Sequence, residues 1–520
     1  MPAAGIDPQI RPAADPPSGD DLLRLEVQSW ATGGCCVARH EGRVVFVRHA
    51  LPGEVVLARR TDLEEQSGER TGGGAADRAD RRRFWRADAV QVLTASADRV
   101  RPACPVSGPG GCGGCDWQHA SLEAQRDGKA ALVREQLQRL AGIDLAERGL
   151  DGFTVEPVAG PDPAGQAGQA GQAGQAGQAE GLGWRTRVRF AVDDEGRAGL
   201  RAHRSHRVVE LDDCPIAHPA VAALDVPGRR WADVESVEVS CAEHGDPLVL
   251  LYPNRPGRET VGGASVPPLP APASIARQQR SGVVGISGRP RLEHEVLLDG
   301  APRRFRVSAG GFWQVHPAAA QTLLDAVLAA TDPQPGERAV DLYSGAGLFA
   351  AGLAARVGRQ GSVLAVESSA TGTGDARRNL HDLPQVQLQD GRVEKVLPQA
   401  LAAEPFEGRL EVAVLDPPRA GAGAAVISAL CAASPRVIAY VACDPAALAR
   451  DLGHAEREGY RLAALRGFDL FPMTHHVECL AVLVPGGERL RAARSRDRAR
   501  SRSRARARRR SAPGSSGASL

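Results

Sequence analysis

Residues 338–350 read "RAVDLYSGAGLFA". A short apolar run ends at Asp341, then Gly345 and Gly347 follow, and Ala350 stands where a third small residue would sit. This is a G-x-G-x-x-A pattern at the opening of a helix. Further along, "SVLAVE" (362–367), "EVAVLD" (411–416) and "RVIAYVAC" (436–443) are again short apolar runs, each followed by a loop and usually a helical stretch. That alternation, which begins at 331, predicts an α/β fold with a Rossmann-like, doubly wound parallel sheet. Ligands of such sheets bind at the carboxyl ends of the strands. Asp341, Glu367, Asp416 and Cys443 all fall at or near those ends.

Glu367 comes 20 residues after Gly347, at the end of the next apolar run. A carboxylate there suits a ribose diol, so loop and acid together point to an adenosine cofactor. NAD and S-adenosylmethionine both carry that adenosine, and the pattern does not choose between them. In "VLDPPRAG" (414–421), Asp416 ends a strand and two prolines stiffen the chain behind it. Consecutive prolines fix torsions and remove donors, which suits orienting a planar base or the cofactor.

"VACDPAALARD" (441–451) raises the question of Cys443. A cysteine at the end of a buried strand is either a small core residue or a nucleophile. Glu478, in "THHVECL" (474–480), lies 35 residues beyond it near another apolar run. A thiol and a carboxylate base suit carbon-5 chemistry on a pyrimidine. Thiolate addition at carbon 6 makes carbon 5 nucleophilic towards a methyl group, and a base must then remove the carbon-5 proton before the thiol leaves.

Working outward, residues 22–97 read as short strands with Gly/Pro turns, which predicts a small barrel. Within it, "TDLEEQSGERTGGGAADRADR" is a Gly-rich, charged loop. Cys104, Cys112 and Cys115 then follow with spacing C-x7-C-x2-C, before a helix predicted over roughly 119–141. The C-x2-C pair is a good clamp for zinc or an iron–sulfur centre, and Cys214, followed by Pro like Cys104, is the candidate fourth ligand. "AGQAGQAGQAGQAGQA" (164–179) has no hydrophobic period and reads as a flexible insertion. In "WRTRVRF" (184–190) the period of two puts Arg185, Arg187 and Arg189 on one strand face. Beside Trp184 such a row suits phosphate contact and base stacking.

Composition bounds the rest. With 520 residues the chain has room for several domains, and its apolar runs fall short of the ~20 residues a membrane helix needs. The start has neither an apolar core nor a basic flank, so it reads as a leader rather than a secretory signal. A cytoplasmic protein without membrane contact is expected. Arg489–Arg510 carries twelve Arg and one Asp, a net of +11; the chain's +2 less that +11 leaves −9 for the remainder. Bulk charge therefore gives the body no general affinity for nucleic acid, and only local patches can supply it.

Together these pieces resemble the RNA 5-methyluridine methyltransferase family, in its bacterial type with a TRAM domain and an iron–sulfur cluster. The resemblance covers about residues 22–485 and is most specific at "GGFWQVHP" (310–317), "DLYSGAGLFA", "DPPRAG", "CDPAALARD" and "HVE". It implies Cys443 as the nucleophile and Glu478 as the base. It implies Gln314, Tyr343 and Glu367 as contacts to S-adenosylmethionine, with Asp416 in the same site and Asp390 near the adenine. Cys104, Cys112, Cys115 and Cys214 resemble the ligands of a [4Fe-4S] cluster, although "SGPGG" lengthens the loop between the first two. The implied substrate is a uridine in RNA, with 23S ribosomal RNA favoured and a transfer RNA uridine-5-methyltransferase as the alternative, and a monomer is expected. A non-catalytic RNA-binding factor and a nicotinamide oxidoreductase are the competing readings. The expected organisation is a leader (1–21), a TRAM/OB-like barrel (22–97), a central α+β domain with the cysteines (98–330), a methyltransferase domain (331–488) and a basic tail (489–520).

Overall fold

The structure is a computed structural model that describes residues 22–61, 84–159, 181–254 and 266–487. The leader, the Gly-rich loop beyond Thr61, the AGQ repeat and the basic tail lie outside the described residues. The chain divides into two compact units. One comprises the chain up to Glu135, Thr154–Thr322 and Gly467–Glu478; the other comprises Gln136–Phe153, Leu323–Arg466 and the chain from Cys479 on. Among the described residues no helix is long and apolar enough to cross a membrane.

The first unit opens with the predicted barrel. Strands β1 (Leu22–Ala31), β2 (Cys35–His40), β3 (Arg43–Arg48), β4 (Val55–Arg60) and β5 (Phe84–Thr94) close in the order β1-β2-β3-β5-β4. Alternate residues of these strands, among them Leu25, Val27, Val45, Val47, Val56 and Ala58, fill its core. Cys36 is buried there, and its thiol donates to the Ala50 carbonyl at 3.2 Å. The next elements are helix α1 (Leu122–Gln136), which ends in a π-turn over Leu137–Ala141, and strand β6 (Val155–Pro157).

A mixed sheet follows, built from β7 (Arg187–Val192), β8 (Ala198–Arg201), β9 (Val208–Val209), β10 (Val234–Ser240), β11 (Leu248–Pro253), β12 (Ser274–Gln279) and β13 (Gly282–Ser287). It has the order β13-β12-β11-β10-β7-β8-β9. Next comes the hairpin β14 (Arg291–Leu298) and β15 (Ala301–Ser308). The alternation predicted at 184–190 holds: Val188 and Phe190 are buried while the arginines lie on the more open side.

After helix α2 (Ala319–Thr331), the second unit is the predicted doubly wound sheet. Its strands are β16 (Arg338–Leu342), β17 (Ser362–Glu367), β18 (Val386–Asp390), β19 (Val412–Leu415), β20 (Val437–Ala442), β21 (Tyr460–Asp469) and β22 (Glu478–Pro485). They stand in the order β18-β17-β16-β19-β20-β22-β21. The ladders from β18 to β20 are parallel, and β22 runs antiparallel to β20. All four residues of β19 and all six of β20 are buried, as a sheet covered on both faces requires. Helices α3 (Leu348–Val357), α4 (Ala370–Asn379), α5 (Val393–Ala402), α6 (Ala424–Ala433) and α7 (Pro445–Arg457) connect the strands. The chain winds from β16 one way to β18 and then the other way from β19, so the switch point, where such sheets bind ligands, lies between β16 and β19.

Candidate active site

The loop after β16 is built for a close backbone approach. Tyr343, Gly345 and Gly347 take φ of +64°, +53° and +93°. A Cβ on Gly347 would stand 2.8 Å from Leu380 Cδ1, so both conformation and space demand glycine. Asp341, fully buried below the loop, accepts the Ala350 N–H at 2.7 Å and so braces the start of α3. Burial pushes its carboxyl up to about 8, against the opposing pull of that hydrogen bond. Glu367 ends β17 and accepts three backbone N–H groups, from Gly345 at 2.8 Å, Ser368 at 2.8 Å and Ser369 at 2.6 Å. It therefore fixes the glycine loop. A Cβ on Gly372 would meet its Cγ at 3.0 Å. Asp390 is opposite Glu367 in the β17–β18 register and is exposed.

Across the switch point, Asp416 directly follows β19, and burial raises its carboxyl as well. The rigid "DPPRAG" loop continues to Ala422 and Gly423, where it is tied down by Asp451 of α7. That carboxylate accepts the Ala422 N–H at 2.7 Å, the Gly423 N–H at 3.2 Å and the Tyr440 hydroxyl at 2.6 Å. Gly421 has φ +89°, and a Cβ there would stand 2.8 Å from Asp451 Oδ2. Asp451 lies in the quoted "CDPAALARD", but sequence reasoning assigned it no part. The available signal was an acid on the apolar face of an amphipathic helix, among Ala447, Leu448, Leu452 and Ala455.

Cys443 is half-buried, between the last residue of β20 and Asp444, the N-cap of α7. Asp444 accepts the Ala447 N–H at 2.8 Å and Pro445 opens the helix, so this end is well formed. The positive end of a 13-residue helix favours a thiolate over a thiol at the residue before it. Tyr343, whose hydroxyl burial pushes up to about 12, also belongs to this unit. In the β20–β22 ladder Ala442 pairs with Cys479, the residue after Glu478.

Gln314 and Glu478 belong to the first unit. Gln314 is half-buried in a segment held on both sides. Trp313 stacks on His294 with centroids 4.7 Å apart, and the Val315 carbonyl accepts both the backbone N–H and the hydroxyl of Thr186, each at 2.8 Å. Trp184 does not meet the expectation of a base-stacking residue. It is buried, stacked on His316 at 6.0 Å and edge-on to Phe471 at 6.1 Å, so its ring serves the core. Glu478 is buried at the end of a clamped segment. Lys129 of α1 reaches Asp469 at 2.5 Å and the Phe471 carbonyl at 3.1 Å. Gln125 and the Trp117 N–H bond the Met473 backbone, and Asp116 bonds His475 Nδ1 at 2.6 Å. Sequence reasoning missed this clamp, because no local pattern links residues so far apart in the chain.

Cys104, Cys112, Cys115 and Cys214 all open on one cavity of about 710 Å³. The lengthened loop folds back on itself: the Cys112 N–H donates to the Val106 carbonyl at 2.8 Å, and a Cβ on Gly111 would collide with that oxygen. Burial raises all four thiols, Cys214 to about 11 and Cys115 to about 12. Among the described residues no three Cys, His or acidic side chains close around a single-ion position.

The sequence profile of the tRNA (uracil-5-)-methyltransferase family matches residues 286–485. An RNA methyltransferase of Streptomyces avermitilis is 47% identical over 473 residues, covering 90% of this chain and 99% of its own. The 23S rRNA (uracil(1939)-C(5))-methyltransferase RlmD of Shewanella sp. (strain ANA-3) is 30% identical, covering 86% of this chain and 92% of its own. Among solved structures, the Pyrococcus abyssi tRNA (uracil-54, C5)-methyltransferase, in complex with S-adenosyl-L-homocysteine, superposes with a TM-score of 0.59 at 21% identity. That match covers 89% of this chain and 99% of the other, and it establishes the shared fold.

Proposed function

This chain belongs to the RNA (uracil-5-)-methyltransferase family, and on that premise we propose that it methylates carbon 5 of a uridine in 23S ribosomal RNA through a covalent adduct with Cys443. The observation that carries the covalent reading is the position of Cys443 between the carboxyl end of β20 and the capped N-terminus of α7. The ribosomal substrate rests on the near full-length likeness to the Shewanella enzyme.

Glu367 and the backbone of the glycine loop hold the adenosine end of S-adenosylmethionine, with Tyr343, Gln314 and Asp416 as its further contacts. When bound, that cofactor supplies an electrophilic methyl group on a sulfonium sulfur. The Cys443 thiolate adds to carbon 6 of the uracil, and carbon 5 takes the methyl group. Glu478 then removes the carbon-5 proton, the carbon 5–carbon 6 double bond re-forms, and Cys443 leaves as thiolate. The base must be out of its stack to reach the thiol.

The four cavity thiols are the candidate ligands of a [4Fe-4S] cluster by their likeness to the family's cysteines, while among the described residues no three metal-ligating side chains are arranged to hold an ion. The cluster has no part in the methyl transfer, which moves no electrons between centres. The barrel, read as a TRAM-type RNA grip, carries Trp85 with the Arg60 and Arg43 guanidinium groups 4.1 and 4.6 Å from its ring.

The test is mapping of 5-methyluridine in cellular RNA with and without the gene, paired with methyl incorporation by purified protein. Loss of one 23S 5-methyluridine, and no incorporation by Cys443→Ala, is the expected result. Loss from transfer RNA instead would move the substrate. Full activity of Cys443→Ala would overturn the covalent route.

A further inference from the structure

The turn between β8 and β9 reads "RAHRSHR" (201–207), with three arginines, two histidines and no acid. All its residues except Ala202 and His203 are exposed. Two observations set it apart from an ordinary solvated turn. Arg204 takes φ +48°, a left-handed conformation that glycine or asparagine adopts at lower cost, so turn geometry does not account for an arginine there. The turn also has a backbone scaffold in the loop that carries Cys112. The Gly113 N–H donates to the Arg201 carbonyl at 3.0 Å, Cys112 pairs with Ala202, and Arg207 bonds the Gly110 carbonyl. A Cβ on Gly113 would stand 2.7 Å from His203 Cα, so the two backbones touch. Arg185, Arg189, Arg201 and Arg204 line the same cavity as the four thiols. Arg201 pairs with Glu235 at 3.5 Å, with both side chains exposed, so that pair is screened by solvent.

We propose that the Arg201–Arg207 turn, with Arg185 and Arg189 beside it, is a docking surface for the RNA phosphodiester backbone, held in register by the Cys112 loop. This rests on the reading of the protein as an RNA-modifying enzyme and adds where that RNA is gripped. Outside its basic tail the chain sums to −9, so a substrate polyanion is repelled by the bulk and must meet a local cationic face. Exposed guanidinium groups on a fixed turn supply it, because they release condensed counterions without losing much freedom of their own. On this account the thiol loop serves substrate binding by shaping the turn.

The test compares the full chain with the triple variant Arg201→Ala/Arg204→Ala/Arg207→Ala. The probe is a transcript of 23S rRNA, titrated at several salt concentrations. Affinity should fall ~10-fold or more at low salt, and the log–log salt slope should become shallower by about 2. S-Adenosylhomocysteine affinity should stay unchanged, which shows that the variant is folded. Because Arg207 also bonds the Cys112 loop, a charge-preserving triple Lys variant and the single Arg204→Ala are measured beside it. The Lys triple should keep the slope, and Arg204→Ala should lose about a third of the effect. Unchanged affinity and slope in the Ala triple would overturn the docking surface while leaving the enzymatic reading intact. The same holds if the turn captures an acidic protein and not the transcript. A wild-type chain that neither binds nor methylates RNA would instead overturn the enzymatic reading itself.

Discussion

Cys115 and Cys443 carry the same side chain in opposite settings. Cys115 lies in the first unit's cavity with three other cysteines, and burial pushes its thiol up to about 12. Cys443 is half-buried at a strand–helix junction, with the N-terminus of α7 behind it. The first setting opposes charge until a metal supplies a compensating one. The second puts a helix N-terminus beside the sulfur, which stabilises negative charge there without a metal. Cysteine spacing in a sequence locates thiols, while their surroundings set how readily each carries charge.

The strongest way to break this contrast is to exchange the losses. Cys443→Ala should lower single-turnover methylation by about 10⁴-fold or more, with S-adenosylhomocysteine binding kept. Cys115→Ser should instead lower iron content and thermal stability, and should leave measurable turnover in whatever protein remains folded. Comparable catalytic losses in the two variants would erase the distinction. Trapping sharpens it further: Glu478→Gln should accumulate a covalent protein–RNA adduct on a denaturing gel, because the adduct forms but cannot eliminate.

Alkylation reads the environments directly. At pH 8 a thiol raised to about 12 holds roughly 10⁻⁴ of its population as thiolate, so in protein prepared without iron the ratio of Cys443 to Cys115 labelling by iodoacetamide should be large. Raising the pH should narrow that ratio, since the thiolate of Cys115 gains population as the pH approaches its raised value. Peptide mapping checks it, and equal labelling of the two at pH 8 would contradict the contrast.

A smaller effect concerns what holds Cys443's surroundings in place. Asp451 ties the "DPPRAG" loop to α7, the helix that Cys443 precedes, through two backbone N–H groups and the Tyr440 hydroxyl. Asp451→Asn keeps the size but presents an amide donor to groups that are themselves donors. It should cost about 1–3 kcal/mol of stability and lower kcat by roughly 10- to 100-fold, while KM for RNA moves little. If kcat stays at the wild-type value with the same stability loss, Asp451 is a structural residue only.

Much of the second unit was legible because its signals are local. A strand buried on both faces is a continuous apolar run, and a left-handed turn asks for glycine, so Gly345, Gly347, Glu367 and Asp416 stand where they were expected. Cys443 was legible as a strand-end thiol, but its relation to the helix cap needed the coordinates. Trp184 was misread because alternation assigns a face and not a neighbour, and His316 and Phe471 cover its ring. The clamp before Glu478 was invisible for the same reason: Asp116, Gln125 and Lys129 meet residues 469–475 only through the folded chain.

Asp341 offers the finest test, because it is a buried acid under the glycine loop that braces the start of α3. Its folded-state value, about 8, lies above the ~4 of an unfolded aspartate. Between those values the folded protein holds a proton that the unfolded chain releases. The contribution of this group to stability is therefore complete below about pH 4 and is lost as the pH rises towards 8, at up to about 1.4 kcal/mol per pH unit. Asp341→Asn keeps an oxygen for the Ala350 N–H and removes the ionisation. Its urea midpoint should vary less with pH than that of the wild type across this window, so that the two curves converge at the acid end and separate towards pH 8. Parallel curves would mean that Asp341 is ionised in the folded state, with the N-terminus of α3 outweighing its burial as it is argued to do for the half-buried Cys443 at α7.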